Sequence, residues 1–377
     1  MRNRLVRPSA AVRRARRRRS ETTAIPEVAG PGLALRAKDK DLVLHIGLHK
    51  TASSFVQGLL AASRDDLRAQ GVLYPTTGIV DKSDTGTREG AGSGQALLSR
   101  PGRQHALKSQ LFAEIPDGVS TVLLSSEEFG RVAATPTPAR LVARFSAFRS
   151  IRVVLVLRRQ DDWIESYYKQ VVDQFRNFET RSFVQFLHEA GPRLLDFHAR
   201  FAPWRELVGP ENFHVLSYDD LPDGVAICRR LLEIAGMEGP VLDGLGSIEV
   251  PRYDSVRAID TVGLRILNAY RLEGRDTRTR TACSIYDAAP SGDIELLTPE
   301  LRDEIKTAWD PVNERIEDEW FSTPVPGFRF GSAPPARAAT PPSGPDMVDY
   351  LDRVIALCED ARTTTAADEV SEDGEDE

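Results

Sequence analysis

Asp41–Leu60 reads DLVLHIGLHKTASSFVQGLL, and this stretch indicates the architecture of the chain. The apolar run Leu42–Gly47 is typical of a buried strand, and Ser53–Ala62 has helical periodicity. A short loop carrying Lys50 and Thr51 joins the two. Backbone N–H groups freed at a helix N-terminus, aided by the helix dipole, bind phosphates. The segment therefore predicts an anion site where the helix begins.

The same alternation of short apolar runs and helical patterns continues along the chain. Further buried strands are predicted at Thr121–Ser126, Arg152–Leu157 and Phe213–Tyr218. Helices are predicted at Pro138–Phe148, Asp161–Phe175, Pro222–Ala235, Ser255–Tyr270 and Pro299–Phe321. Strands separated by helices form βαβ units, so the pattern predicts an α/β fold with a mostly parallel central sheet flanked by helices.

Composition divides the chain into five predicted segments. They are a disordered basic tail (1–38), the α/β domain (39–325), a proline-rich linker (326–345), an amphipathic helix (346–362) and an acidic disordered tail (363–377). Within the domain, Thr76–Gly94 is polar and glycine-rich, which is typical of a long loop or lid.

Charge and targeting signals exclude several classes of protein. Net charge is −7, with nine arginines in residues 1–19 and seven acidic residues in the last ten. The body is acidic, so no specific nucleic acid partner is predicted. The arginine run could contact nucleic acid or an anionic membrane, although its composition favours a solvated tail. No run reaches the ~20 apolar residues of a membrane span. Charge and proline replace an export signal's apolar core, so a cytoplasmic location is expected.

Cysteine and histidine spacing bears on metals. Three cysteines lack CxxC spacing, and six histidines lack paired ligand spacing. These patterns predict neither a disulfide framework nor a bound metal. Cys228 and Cys358 lie in apolar helical patterns and are predicted to be buried in the core.

The loop at residues 47–54 supplies suitable groups for an anion. Lys50 carries a mobile positive charge, and Thr51, Ser53 and Ser54 carry hydroxyl donors. The alternative is an ordinary strand–helix turn capped by Ser53. The loop is not a Walker A motif, because no glycine directly precedes the lysine. It resembles the 5′-phosphosulfate loop of sulfotransferases, whose bacterial carbohydrate-type members read H-I-G-x-x-K-T-G-T-T. Ala52 replaces a glycine of that pattern and restricts φ, which predicts weaker donor binding.

A second motif follows the strand Arg152–Leu157. Arg158 ends the strand, where ligands bind in open α/β sheets, and Ser166 comes eight residues later. Alone, Arg158 is a typical salt-bridged strand end. With Asp162, Tyr167 and Tyr168, the spacing resembles the 3′-phosphate site of sulfotransferases.

The two motifs together resemble the sulfotransferase family over Asp41–Phe321. This resemblance implies a three-layer P-loop NTPase-like fold and a donor, 3′-phosphoadenosine-5′-phosphosulfate, acting without a metal. The donor site implied comprises Lys50, Thr51, Ala52, Ser53, Ser54, Arg158 and Ser166. Pro251–Arg257 and Arg275–Thr281 are alternative segments for the family's C-terminal 3′-phosphate loop.

The family also requires a base near the sulfuryl group. Glu127 follows the strand Thr121–Ser126 at the sheet's carboxyl edge and is the predicted base, with Glu128 second; Lys50 is the other catalytic residue. The alternatives for Glu127 are a surface carboxylate and a glutamate placed at a helix N-terminus. His49 is a further candidate donor contact, whereas His45 is predicted to pack within its strand.

The resemblance implies transfer of a sulfuryl group to a hydroxyl acceptor, with a carbohydrate as the expected class. One alternative is a degenerate nucleotide-binding or interaction protein, and another is a P-loop kinase using ATP and Mg²⁺. Neither the acceptor's identity nor the oligomeric state follows from the sequence, because acceptor pockets are built from variable loops.

Overall fold

The computed structural model describes residues 34–79, 104–131, 137–174, 177–221, 223–250, 255–272, 274–321 and 340–372. The arginine run, most of the predicted lid Thr76–Gly94 and most of the proline-rich linker lie outside these ranges.

A parallel sheet forms the centre of the protein. Its strands are β1 (Asp41–His45), β2 (Val72–Leu73), β3 (Thr121–Ser125), β4 (Ser150–Leu157) and β5 (Phe213–Ser217). In the described part of the chain their order is β2-β3-β1-β4-β5. Because the strands are parallel, their carboxyl ends and the loops that follow meet at one edge of the sheet.

Helices connect and cover these strands. The first group comprises α1 (Ser53–Ala62), α2 (Arg64–Ala69), α3 (Gln104–Glu114), α4 (Pro138–Arg144), α5 (Gln160–Asp173), α6 (Phe183–Leu195) and α7 (Phe197–Val208). The second comprises α8 (Gly224–Ile234), α9 (Pro240–Gly244), α10 (Ala258–Tyr270), α11 (Arg275–Ala288), α12 (Pro299–Trp320) and α13 (Gly344–Glu372). No described helix is both long and apolar enough to cross a membrane.

Both faces of the sheet are buried, which explains why its strands read as uninterrupted apolar runs. In β1, Leu42 and Leu44 belong to one hydrophobic core, and Val43 belongs to the other. Helices α1, α2 and α8 line the core on the Val43 side, while α5, α7, α10 and α12 contribute to the opposite core. The predicted three-layer α/β fold is confirmed.

The ends of the folded body differ from the predicted boundaries. Residues 34–37 form a 3₁₀ turn in which Ala37 is fully buried. Arg36 donates hydrogen bonds to the carbonyls of Ala113 and Ile115, at 3.2 and 3.3 Å. The body therefore begins before the predicted boundary at Lys38, because these residues pack against the end of α3.

The C-terminal helix is also longer than predicted. Helix α13 begins at Gly344 and continues past the predicted boundary at residue 362 to Glu372. Its residues Tyr350, Val354 and Cys358 are buried in the larger core, against α10 and α11. The helix is thus an integral part of the packing.

Candidate functional site

A cavity of about 500 Å³ opens at the carboxyl edge of the sheet. The loop after β1 lines it with His49, Lys50 and Ala52, and the loops after β3 and β4 contribute Glu127 and Arg158. In open α/β sheets, ligands bind beyond the strand ends where neighbouring connections leave in opposite directions. The connections after β1 and β4 leave in this way, so the cavity occupies the expected position.

The loop between β1 and α1 has an unusual backbone. Gly47, Lys50 and Ala52 have positive φ angles of 105°, 64° and 57°. The hydroxyls of Thr51 and Ser53 both donate to the carbonyl of Leu48, at 2.7 and 2.9 Å. These bonds hold the loop in a tight curve around its own carbonyl.

This arrangement assigns different positions to the predicted loop residues. Thr51 is fully buried, and its hydroxyl hydrogen bonds within the loop, so it shapes the site. Ser53 lines the cavity, but its hydroxyl is similarly engaged, whereas Ser54 is exposed at the cavity wall. Ala52 occupies the N-cap of α1 and no side chain caps that helix. The amides of Ser53 and Ser54 consequently have no acceptor within the helix, which leaves them available to an anion.

Lys50 is half-buried, and its Nζ has no hydrogen-bond or ion-pair partner within the described ranges. Burial, reinforced by the charges of Arg158 and Lys169, lowers the pKa of Lys50, and Asp173 opposes this. A cation held near other cations is stabilised by a bound anion.

Arg158 connects the two motifs. Its Nη1 donates to the carbonyl of Lys50 at 3.2 Å, and its guanidinium lies 5.0 Å from the centre of the Tyr218 ring. Its Nε is buried without a hydrogen-bond partner in the described structure. Arg158 therefore supports the loop and retains an unused donor, and it forms no ion pair among the described residues.

The second motif is only partly assembled around the cavity. Ser166 is half-buried on α5 and does not line the cavity; Gln170, one turn further along that helix, does. Residues four apart share a helix face, so this spacing was the available signal for Gln170. Tyr168 donates to the Arg181 carbonyl at 2.6 Å, and Tyr167 stacks on Trp163.

The neighbouring charges of this motif form a buried network. Arg159 is 1% exposed and pairs with Asp161 and Asp162, at 3.0 and 2.8 Å. Arg302 of α12 contacts the same two carboxylates. Asp162 therefore anchors the start of α5 to α12, and it is committed to packing.

The two candidate carboxylates after β3 have different surroundings. Glu127 lines the cavity, and its Oε2 accepts a hydrogen bond from Gln57 at 3.0 Å. Glu128 pairs with His49 at 3.5 Å and with Arg131 at 3.0 Å. Burial would raise the pKa of Glu128, but these two partners lower it to about 2. Glu127 is thus the carboxylate placed to meet a ligand.

Gly47 brings the loop between β1 and α1 against this carboxylate. A Cβ atom at Gly47 would lie 3.1 Å from the Cα of Glu127, in addition to the strain of a side chain at its positive φ. Glycine is required here for both the turn and the close approach.

The opposite wall of the cavity was not predicted from sequence. It contains the aromatic residues Phe55 and Tyr218 and the start of α8 at Gly224 and Val225. Asp223 caps α8, since its carboxylate accepts from the amide of Ala226 at 2.9 Å. This wall offers apolar surface and a second helix N-terminus.

The two candidate C-terminal segments differ in position. Ser255, from Pro251–Arg257, lines the cavity, whereas Arg257 pairs with Asp260 at 2.7 Å. Residues 251–254 lie outside the described ranges. Arg275–Thr281 forms part of α11, and no residue of it lines the cavity. Of the two segments, the first reaches the site.

His45 is buried in β1, as predicted, with its Nδ1 2.8 Å from the hydroxyl of Ser125. Burial lowers its pKa to about 4, against a smaller opposing effect of Glu127. Cys228 and Cys358 are also buried, which confirms the prediction for both.

No protein-family model matches this chain, and no curated protein matches it in sequence. The case for a function therefore rests on the fold, the two motifs and the contents of the cavity.

Proposed function

We propose that the protein is a sulfotransferase that transfers a sulfuryl group from 3′-phosphoadenosine-5′-phosphosulfate to a hydroxyl acceptor, with a carbohydrate as the expected acceptor class. One observation carries the proposal. Lys50 and Arg158 enter one cavity from neighbouring strand ends, beside the uncapped start of α1, and neither has an ion-pair partner in the described parts of the chain. Two unneutralised cations beside free amides fit a ligand with separate anionic groups.

The residues present are suited to this donor. Lys50 and the amides at the start of α1 would bind its 5′-phosphosulfate, and the buried Nε of Arg158 would bind its 3′-phosphate. The rings of Phe55 and Tyr218 give flat apolar surface for a nucleobase. The described wall also contains two acidic residues, Asp223 and Glu127, which equal Lys50 and Arg158 in number.

The donor, when bound, supplies an activated sulfuryl group. Glu127 would accept the proton of the acceptor hydroxyl while the oxygen of that hydroxyl forms a bond to sulfur. Lys50 would stabilise negative charge on the phosphate oxygen whose bond to sulfur breaks. The products are a sulfate ester and adenosine 3′,5′-bisphosphate, and the proton remains on Glu127 until solvent removes it.

Calorimetry with three ligands separates this function from its alternatives. We expect adenosine 3′,5′-bisphosphate to bind and Mg-ATP to bind more weakly. Tighter, metal-dependent binding of ATP would instead support a kinase. Binding of the bisphosphate, with no transfer from labelled donor to any member of a sugar panel, would support a non-catalytic nucleotide-binding protein.

Arg158→Ala makes the same experiment specific to the site. Charge-assisted hydrogen bonds contribute about 1.5–3 kcal/mol, or roughly 10- to 150-fold in affinity. We expect that loss for adenosine 3′,5′-bisphosphate and a smaller one for adenosine 5′-phosphosulfate, which lacks the 3′-phosphate. Some loss for both follows because Arg158 also supports the Lys50 carbonyl. Equal losses would contradict the assignment, and Arg229→Ala, on α8 but not part of the described cavity lining, is the control.

A further inference from the structure

A second cavity of about 420 Å³ lies beside the first, on the other side of the 3₁₀ turn Glu127–Gly130. Glu127 at the start of this turn lines the first cavity, while Phe129 and Gly130 at its end line the second. The residues that line the second cavity are therefore separated by a single 3₁₀ turn from Glu127, the carboxylate assigned as base.

The charged groups of this second cavity are mostly positive. Arg131, Arg193 and Arg200 line it, together with the single acidic residue Asp196. Arg131 is paired with Glu128, and Asp196 accepts from the amide of Ala199 at 2.8 Å as the cap of α7. Arg193 and Arg200 form no ion pair in the described structure, so two positive charges have no contacting counterion.

Arg200 is half-buried at the wall of this cavity, and one of its donors is unused. Its guanidinium contacts the carbonyls of Leu194 and Gly130 and packs over the rings of Trp163 and Phe201, at 5.4 and 4.9 Å. Its Nε is buried and has no hydrogen-bond partner among the described residues. Burial also lowers its pKa to about 10. Arg200 is half-buried and has no contacting counterion among the described residues, and an incoming oxyanion would both pair with its charge and accept from its Nε.

The two cavities share an electrostatic connection. The carboxylate of Glu128 contacts His49 of the first cavity and Arg131 of the second. The ring of His49 also contacts Tyr167 edge-on, at 5.9 Å between centres. The two cavities are therefore linked through one carboxylate, at the turn that separates them.

We propose that the second cavity binds an oxyanion of the acceptor, a carboxylate or a sulfate ester, through Arg193 and Arg200. This proposal rests on the proposed function, and it deepens that function by making the acceptor an anionic molecule. Arginine is suited to this role because its planar donors match the two oxygens of such groups.

Calorimetry with three probes of common shape tests the proposal. They are methyl β-glucuronide, methyl β-glucoside 6-sulfate and the neutral methyl β-glucoside, each titrated with saturating adenosine 3′,5′-bisphosphate present. We expect one or both anionic probes to bind at least about tenfold tighter than the neutral one, the gain typical of a charge-assisted contact. Which anionic probe is preferred distinguishes a carboxylate from a sulfate ester. Equal affinity for all three, or no binding, would overturn the proposal.

Variants locate the site. Arg193 is exposed, so Arg193→Gln should keep the fold and remove most of the preference for charge. Arg200→Lys keeps a positive charge but loses the planar donors, so it should also weaken the binding of the anionic probes relative to wild type. Arg205→Gln, on the same helix but outside the cavity, should change nothing. A comparable loss in Arg205→Gln would contradict the assignment.

The two proposals fail in different ways. Lys50→Ala should weaken the binding of adenosine 3′,5′-bisphosphate by roughly 10- to 150-fold while leaving the affinity for the anionic probes unchanged. If the wild-type protein does not bind the bisphosphate but still binds anionic probes through Arg193, the sulfuryl-transfer function is rejected and the oxyanion site stands. If the bisphosphate binds and the probes do not, the second cavity's role is rejected alone.

Discussion

At the scale of single residues, Ala52 is the position where the loop departs from the sulfotransferase pattern, and its conformation in the structure changes the effect expected of that departure. Its replacement of glycine restricts φ in the loop and predicted weaker donor binding. In the structure Ala52 nevertheless adopts the left-handed conformation, at φ 57°. A non-glycine residue pays about 1–2 kcal/mol for that conformation. The departure is therefore expected to reduce stability more than it changes the loop's shape.

Ala52→Gly should accordingly stabilise the protein by about 0.5–1 kcal/mol, the relief of strain less glycine's larger loss of backbone freedom. Urea unfolding measures the change. The matched control is Ala308→Gly, at an exposed position in the interior of α12, which should destabilise by about 0.5–1 kcal/mol. If both variants are destabilised equally, the loop does not hold Ala52 in the left-handed conformation.

Glu127→Gln tests the carboxylate that faces the cavity. Glutamine preserves size and hydrogen bonding but cannot accept a proton, so turnover should fall by about 10²–10⁴-fold. Affinity for adenosine 3′,5′-bisphosphate should hardly change. Steady-state transfer from labelled donor, once an acceptor is found, gives the first quantity, and calorimetry gives the second.

Glu128→Gln is the neighbouring control. Because Glu128 is paired with His49 and Arg131, its loss should affect stability more than turnover. Full activity in Glu127→Gln with a large loss in Glu128→Gln would move the base by one residue. Full activity in both would place the base elsewhere.

At the scale of elements, the strands and the helix α1 follow from sequence because their apolar periodicity is strong. The predicted helix Ser53–Ala62 has the observed bounds, and the predicted strand Phe213–Tyr218 differs from β5 by one residue. Helix α11 was not predicted, since RDTRTRT is polar and gives no apolar helical pattern. Its buried face carries Arg278 and Thr281 together with Ala282 and Ile285. Its helical state depends on packing against α10 and α13, and the local sequence pattern does not encode such tertiary contacts.

The C-terminal helix α13 gives the element-scale prediction. Ending the chain after residue 364 leaves the buried residues Tyr350, Val354 and Cys358 in place, so the melting temperature should change little. Ending it after residue 343 removes all three and exposes the surfaces of α10 and α11. Losing large buried side chains costs about 2–5 kcal/mol each, so this second truncation should lower the melting temperature strongly or abolish cooperative unfolding. Equal melting temperatures would show that α13 contributes nothing to the core.

At the scale of the whole molecule, the candidate site was predictable only where each group follows a strand end. Lys50, Glu127 and Arg158 satisfy that rule, and all three line the cavity. Ser166 was expected two helical turns further on, where the orientation of α5 decides the outcome, and Gln170 is at the wall instead. Phe55 lies on α1, and Tyr218 directly follows β5, but neither was predicted because a ring in an apolar wall belongs to no motif.

Stability of the whole fold should depend on pH through His45. Its pKa falls from 6.5 to about 4 on folding. Between these pH values His45 is therefore protonated in the unfolded chain and neutral in the folded protein. Stability from this residue is thus present above pH 6.5 and is lost as the pH falls towards 4. Between pH 7 and 5 the loss should be about 2 kcal/mol.

Urea unfolding at several pH values tests this in His45→Gln, which should show a flatter profile in that range. His188→Gln is the control, because His188 is exposed on α6 and pairs with Glu304. If the two variants retain the same acid sensitivity as the wild type, other groups cause it.

The outermost strand β2 has a consequence for behaviour at high concentration. Exposed sheet edges recruit strands from other molecules, and proteins commonly prevent this by keeping the edge strand short. Strand β2, the outermost of the described strands, contains only Val72 and Leu73, and both side chains are buried. That border of the sheet offers an approaching chain too few backbone groups to template intermolecular pairing, so aggregation is expected to start elsewhere.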